Sequence, residues 1–170
     1  MGKERLEKYR KHIEPLFGRM FVSAYRLTGS REDAEDLTQE TFIKAFRAID
    51  RFDSDSAPAA WLYTIMRNTF LNDLRHKKSR ETLLFDESLA ERLPDERAEN
   101  SGPVVMDEKL QATLDSIPEE MRSVLVAREI AQLSYDEIAS SFNLPLGTVK
   151  SRINRAREML RERWLGRDEK

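Results

Sequence analysis

The chain has no cysteine in its 170 residues, which removes disulfides, thiolate catalysis and the common zinc-finger patterns together and fits a reducing compartment. Histidine is almost as scarce. The two present, His12 and His76, stand among charged residues at expected helix ends, without carboxylate spacing that suggests a metal site or a catalytic triad. With only 6 glycines there is no Gly-rich phosphate loop, and no long apolar run could span a bilayer or serve as a secretory signal. These absences point to a protein that is not an enzyme, needs no cofactor or metal, is not itself a membrane protein and resides in the cytoplasm. Few β-branched runs and only 6 prolines leave no convincing strand, so an all-α fold is expected.

Charge is plentiful but nearly balanced, with 29 bases against 31 acids and a net charge of −2, so function must lie in its distribution. One basic block holds Arg67, Arg75, Lys77, Lys78 and Arg80, with Asp73 the lone acid. A second holds Lys150, Arg152, Arg155, Arg157, Arg161 and Arg163 against Glu158 and Glu162. Between them, residues 81–108 are mainly acidic. Two basic blocks with an acidic spacer suggest two contact points on a polyanion.

The periodicity divides the chain in the same way. Leu6, Tyr9, Ile13, Leu16, Phe17, Met20, Phe21 and Ala24 form one helical stripe interrupted at Pro15, so a short helix is expected before His12 to Glu14 and a second from Pro15 to about Leu27, and Gly29 closes the segment. Ser30 with Asp33 resembles a capping box opening a helix whose inward face is Ala34, Leu37, Thr41, Phe42, Ala45, Phe46 and Ile49. Ser56 and Pro58 read as the cap and first turn of another, expected to run to about Lys77. After Ser79 the pattern fades into linker composition with Ser101, Gly102 and Pro103 as breakers. Helical spacing resumes at Leu110. Pro118 opens a further helix, Ser134 caps the next over Tyr135 to Phe142, and Thr148 is expected to cap the last. The architecture expected is two small helical domains joined by a flexible linker, 1–80 and 109–170 with 81–108 between, the free chain being a monomer.

Tyr135 to Arg152 carries the more specific motif. Small Ala139 sits where two helices must approach, Asn143 where the turn can require a left-handed backbone, and Val149 where a shared core must be filled. Those are helix-turn-helix requirements, and the following helix exposes Lys150, Ser151, Asn154, Arg155 and Arg157 to base edges and phosphates. In the first half, Phe52, Trp61, Tyr63 and Phe70 lie among Arg51, Arg67, Arg75 and Lys77, with Asn68 and Asn72 adding amides. Such a set suits unstacked bases on a single strand, yet aromatics at helical spacing are equally explained as core.

The segments DAEDLTQETFIKAFRAIDRF, APAAWLYTIMRNTFLNDLR and IPEEMRSVLVAREIAQLSYDEIASSFNLPLGTVKSRINRARE, in this order and spacing, resemble regions two and four of extracytoplasmic-function sigma factors of bacterial RNA polymerase. The resemblance implies docking on the polymerase core through Asp33, Asp36, Gln39, Glu40 and Phe42. It implies capture of the melted −10 promoter strand by the loop Phe52, Asp53, Ser54, Asp55, Ser56 and Ala57 with Trp61, Arg67, Asn68, Asn72 and Arg75. Reading of the −35 duplex falls to Arg128, Thr148, Lys150, Ser151, Arg152, Asn154, Arg155 and Arg157. Core polymerase, promoter DNA and an anti-sigma factor are the implied partners. Without the resemblance, the residues also fit an ordinary helix-turn-helix regulator that binds its operator as a symmetric dimer.

Overall fold

The apolar stripe that begins at Leu6 folds as two helices that break at Pro15. The computed structural model describes residues 2–85 and 107–166; helix α1 (Gly2–His12) leads through a 3-10 turn (Glu14–Leu16) into α2 (Phe17–Thr28). Pro15 falls in that turn, where its missing N–H costs nothing, so α2 starts two residues later than its stripe suggests. Gly29 ends α2 at φ 73°, its amide donating to the Tyr25 carbonyl at 2.8 Å.

Helix α3 (Arg31–Arg47) begins where Ser30 accepts the Asp33 amide. It buries Ala34, Leu37, Thr38, Thr41, Phe42 and Ala45. Phe46, expected inward, is instead 40% exposed: Tyr9 of α1 meets its ring edge-on at 5.3 Å and Arg5 lies over it at 5.6 Å, leaving the rest to solvent. A 3-10 turn (Ile49–Arg51) and a loop then lead to α4 (Pro58–Phe85). Ser56 does not cap this helix, because its hydroxyl donates to the Asp53 carbonyl at 2.6 Å; the Ala57 carbonyl receives the Trp61 amide at 3.2 Å. The helix also outlasts its periodicity, running to Phe85. Lys, Arg, Glu and Leu propagate a helix well, and loss of an apolar face there means only that nothing packs on it.

The second half folds as α5 (Glu108–Asp115), α6 (Glu119–Glu129), α7 (Tyr135–Phe142) and α8 (Leu146–Leu165). Ser134 and Glu137 form a reciprocal capping box on α7, as expected. Thr148 does not cap α8: Pro145 takes that position, its carbonyl receiving the Val149 amide, and Thr148 lies in the first turn with its carbonyl accepting the Ser151 hydroxyl at 3.0 Å. Residues 86–106, where most of the acidic linker is expected, lie outside the described residues.

The fold is all-α, with no strand among the described residues. Its core is shared between the halves: one buried cluster runs from Met20, Leu27 and Leu37 through Tyr63 to Val124, Ile138 and Ile153. A smaller cluster of Leu114, Ile117, Leu125 and Ala156 fixes α5 and α6 against α8. Helix α2 packs on α5 and α6, and α4 packs on α7. Among the described residues, no helix is long and apolar enough to cross a membrane.

Candidate nucleic-acid interface

A two-helix DNA reader needs a tight corner, and Asn143 builds it at φ 51°, ψ 49°, with the Leu144 amide donating back to the Ala139 carbonyl at 3.0 Å. Val149, Ile153 and Ala156 then turn inward from α8, so Lys150, Ser151, Asn154 and Arg155 form an exposed row on its opposite side. Lys150, Asn154 and Arg155 have no hydrogen-bond or ion-pair partner among the described residues, which leaves their donors for an external acceptor. The remaining cations of the expected set are engaged. Glu129 receives two hydrogen bonds from Arg157, which hold that guanidinium above its usual pKa; Arg152 lies 3.6 Å from Glu120. Arg128 donates to the Leu133 carbonyl at 2.9 Å and covers the Tyr135 ring at 4.8 Å, so it braces the corner between α6 and α7. That corner contains a second left-handed residue, Gln132 at φ 58°, which no local sequence signal marked.

On α4, Trp61, Asn68, Asn72 and Arg75 follow one another at seven, four and three residues and share one side of the helix. Asn68, Asn72 and Arg75 are exposed and have no polar partner among the described residues. Trp61 is half-buried, its ring 5.0 Å from that of Phe52. Phe52 itself is 1% exposed, packed against His12 and Trp61 and lying under Lys8, so it anchors the loop and offers no surface to a ligand. The loop that follows is held by Asp53, whose carboxylate accepts the Asp55 amide at 3.0 Å while its carbonyl accepts the Ser56 amide. Asp53, Ser54, Asp55 and Ser56 are exposed, and Ala57 is half-buried.

Arg67 stands apart from these residues. Its guanidinium faces the other half of the molecule, 4.0 Å from the centre of the Phe142 ring on α7. Burial there lowers its pKa, and neighbouring Arg152 adds to that effect, against the attraction of Glu119. One turn earlier Tyr63 is wholly buried. Its hydroxyl donates to the Ser123 carbonyl at 3.0 Å and its ring stacks parallel to Phe142 at 6.1 Å, and desolvation holds it protonated far above the ordinary phenol range.

The exposed side of α3 carries Asp36, Gln39 and Glu40, with Glu40 paired to Lys44 at 2.7 Å. Asp33 is half-buried beside Lys77 at 3.6 Å, and Phe42 turns into the core against Phe17. Two apolar residues that the sequence reading did not assign to this surface adjoin it: Phe17 is 50% and Ile43 51% exposed, and with Leu6 and Gln39 they line a shallow groove. The result is an acidic strip beside an apolar one, a face suited to a basic amphipathic helix.

Comparison with known proteins assigns the two halves separately. Residues 17–80 match the family model for sigma-70 region 2, and residues 107–160 match that for sigma-70 region 4. The chain is 40% identical over 162 residues to the extracytoplasmic-function sigma factor SigE of Mycolicibacterium smegmatis, covering 92% of this chain and spanning 60% of that protein's length. It is 31% identical to the sigma factor SigW of Bacillus subtilis, with 95% of this chain and 96% of SigW covered. Among solved structures it resembles the sigma factor RpoE of Bartonella quintana, crystallised with the anti-sigma factor NepR, with a TM-score of 0.74 and 28% identity over 91% of this chain and 95% of that one.

Proposed function

The chain belongs to the extracytoplasmic-function sigma factors, and on that premise we propose that it directs bacterial RNA polymerase to its promoters by dividing recognition between its two ends. In this reading, residues 1–80 dock on the core enzyme and capture the melted −10 strand, residues 109–170 read the −35 duplex, and 81–108 join them. The observation that carries it is the unpaired outer row of α8, Lys150, Asn154 and Arg155, set behind the left-handed corner at Asn143. Such a row places donors at the edges of major-groove bases, where a bidentate arginine contact is worth about 1–3 kcal/mol of discrimination.

On α4, Trp61 supplies a ring face, Asn68 and Asn72 supply amides, and Arg75 a phosphate partner for a separated strand. Stacking of one base contributes on the order of 1–3 kcal/mol, enough to offset much of the few kcal/mol needed to unstack it. The Asp36, Gln39 and Glu40 strip with its apolar neighbours supports docking on a basic helical element of the core enzyme. An anti-sigma factor that covers these faces is the regulator this reading implies, as NepR accompanies the Bartonella relative.

Run-off transcription with purified core polymerase tests the proposal. A promoter-specific transcript is expected only when this protein is added, with Arg155→Ala weakening binding of a −35 duplex and Asn68→Ala weakening binding of a −10 single strand. Tight binding of a palindromic operator without core association would overturn it in favour of an ordinary regulator.

A further inference from the structure

Helix α1 precedes the segment that matches sigma-70 region 2, which begins at residue 17, and it buries no residue of its own. Its contacts instead grip the chain between α3 and α4. Arg5, Lys8 and His12, spaced three and four residues apart, share one side of the helix and are half-buried, while Lys3, Glu7, Arg10 and Lys11 are exposed. Arg5 donates to the carbonyls of Phe46 and Arg47 at 3.2 and 3.5 Å and lies 3.2 Å from the Asp50 carboxylate. A cation suits that place, because the last carbonyls of a helix lack intrahelical partners and form its negative end. Arg5 is thereby explained as a brace on the end of α3.

Lys8 and His12 act one step further along the chain, at the root of the loop. The Lys8 ammonium donates to the Phe52 carbonyl and lies over the Phe52 ring at 5.6 Å, and the His12 imidazole meets the same ring at 5.6 Å. The Phe52 ring in turn meets Trp61 of α4 at 5.0 Å. Backbone and side chain of one residue are therefore held together, so Phe52 can neither rotate its peptide nor turn its ring without losing a partner on α1. Beyond it, Asp53, Asp55 and Ser56 are exposed and hydrogen-bond to one another. The loop thus takes its orientation from its two ends, Phe52 and the start of α4.

We propose that α1 is the positioning element of the −10 capture loop, with Lys8 and His12 as positioning residues that act through Phe52. This rests on the sigma-factor reading of the loop and of Trp61. Neither side chain touches the strand. Lys8 fixes where the loop leaves the 3-10 turn, and His12 backs the ring against which Trp61 is set. A loop and an indole already held in place lose less freedom when a base is captured, and a smaller population of the competent arrangement lowers apparent affinity by the same fraction.

The test compares holoenzymes assembled from core polymerase and the full chain. The probes are a non-template oligonucleotide carrying the −10 element of a promoter that the wild type transcribes, and the −35 duplex of that promoter. Lys8→Met and His12→Ala are each expected to weaken single-strand binding by about three- to tenfold, with core assembly and duplex binding unchanged. His12→Phe, which keeps a ring against Phe52, should restore affinity to within about twofold of the wild type. Salt separates positioning from direct contact. If Lys8 itself held a phosphate, its removal would flatten the log–log salt dependence of single-strand binding by about 0.7 unit, whereas a positioning residue leaves the slope unchanged. That flattening, an unchanged affinity in both variants, or an equal fall in duplex binding would overturn the proposal. A wild-type holoenzyme that binds neither probe and yields no promoter-specific transcript would instead sink the sigma-factor reading, and the inference with it.

Discussion

Asn143 was legible because its chemistry is local: a short amide side chain tolerates the left-handed backbone that the corner between α7 and α8 demands. Replacing it with valine is expected to lower stability by about 1–2 kcal/mol, whereas glycine should stay within about 0.5 kcal/mol of the wild type, read by urea unfolding. Gln132 adopts the same region of backbone space and gave no signal, since glutamine is not enriched there and the conformation is imposed by the return from α6 to α7. Arg26 was illegible for a different reason. As an arginine on an amphipathic helix it reads as solvated, and the partner that buries it, Gln111, is 85 residues away. Tyr63 and Arg67 share that fate, their surroundings being supplied by Ser123 and Phe142.

At the scale of elements, caps and breakers predicted most helix starts and the apolar period predicted most inward faces. The Ser134 capping box is one such success, and Ser134→Ala should cost about 1 kcal/mol of stability, seen as a lower urea midpoint at unchanged slope. Ser56 and Thr148 failed as caps for different reasons: the Ser56 hydroxyl turns back to the Asp53 carbonyl, and Pro145 already takes the cap position of α8 three residues before Thr148. Helix α4 shows the converse limit, for periodicity reports what a helix packs against and is silent about an exposed extension such as the turns after Lys77. Phe46 fell outside the core because only Tyr9 and Arg5 of α1 meet its ring, leaving the rest of it to solvent.

For the whole molecule, the decisive fact is that two helical halves with separate surfaces share one buried core. The docking proposed for α3 can be separated from folding, since Asp36 is exposed and has no partner among the described residues. Asp36→Arg is accordingly expected to abolish core-dependent transcription while leaving the thermal unfolding midpoint and −35 duplex binding unchanged; a loss of folding would make Asp36 structural instead. The proposed duplex contact should weaken steeply with salt, and removing Lys150 is expected to flatten that dependence by about one unit in log–log slope.

The sequence by itself determined the all-α class, the split into two helical regions, the helix-turn-helix and the row on α8, because caps, left-handed turns and apolar periods act within a few residues. It also carried the family, through the order and spacing of its segments. Only the tertiary structure decided which candidate residues are free. Phe52 became an anchor, Arg128 and Arg157 became braces, and Arg67 passed under Phe142, because burial is set by packing partners far along the chain. The closure of one half over the other belongs wholly to that level, resting on contacts such as Tyr63 with Ser123 that no local pattern encodes.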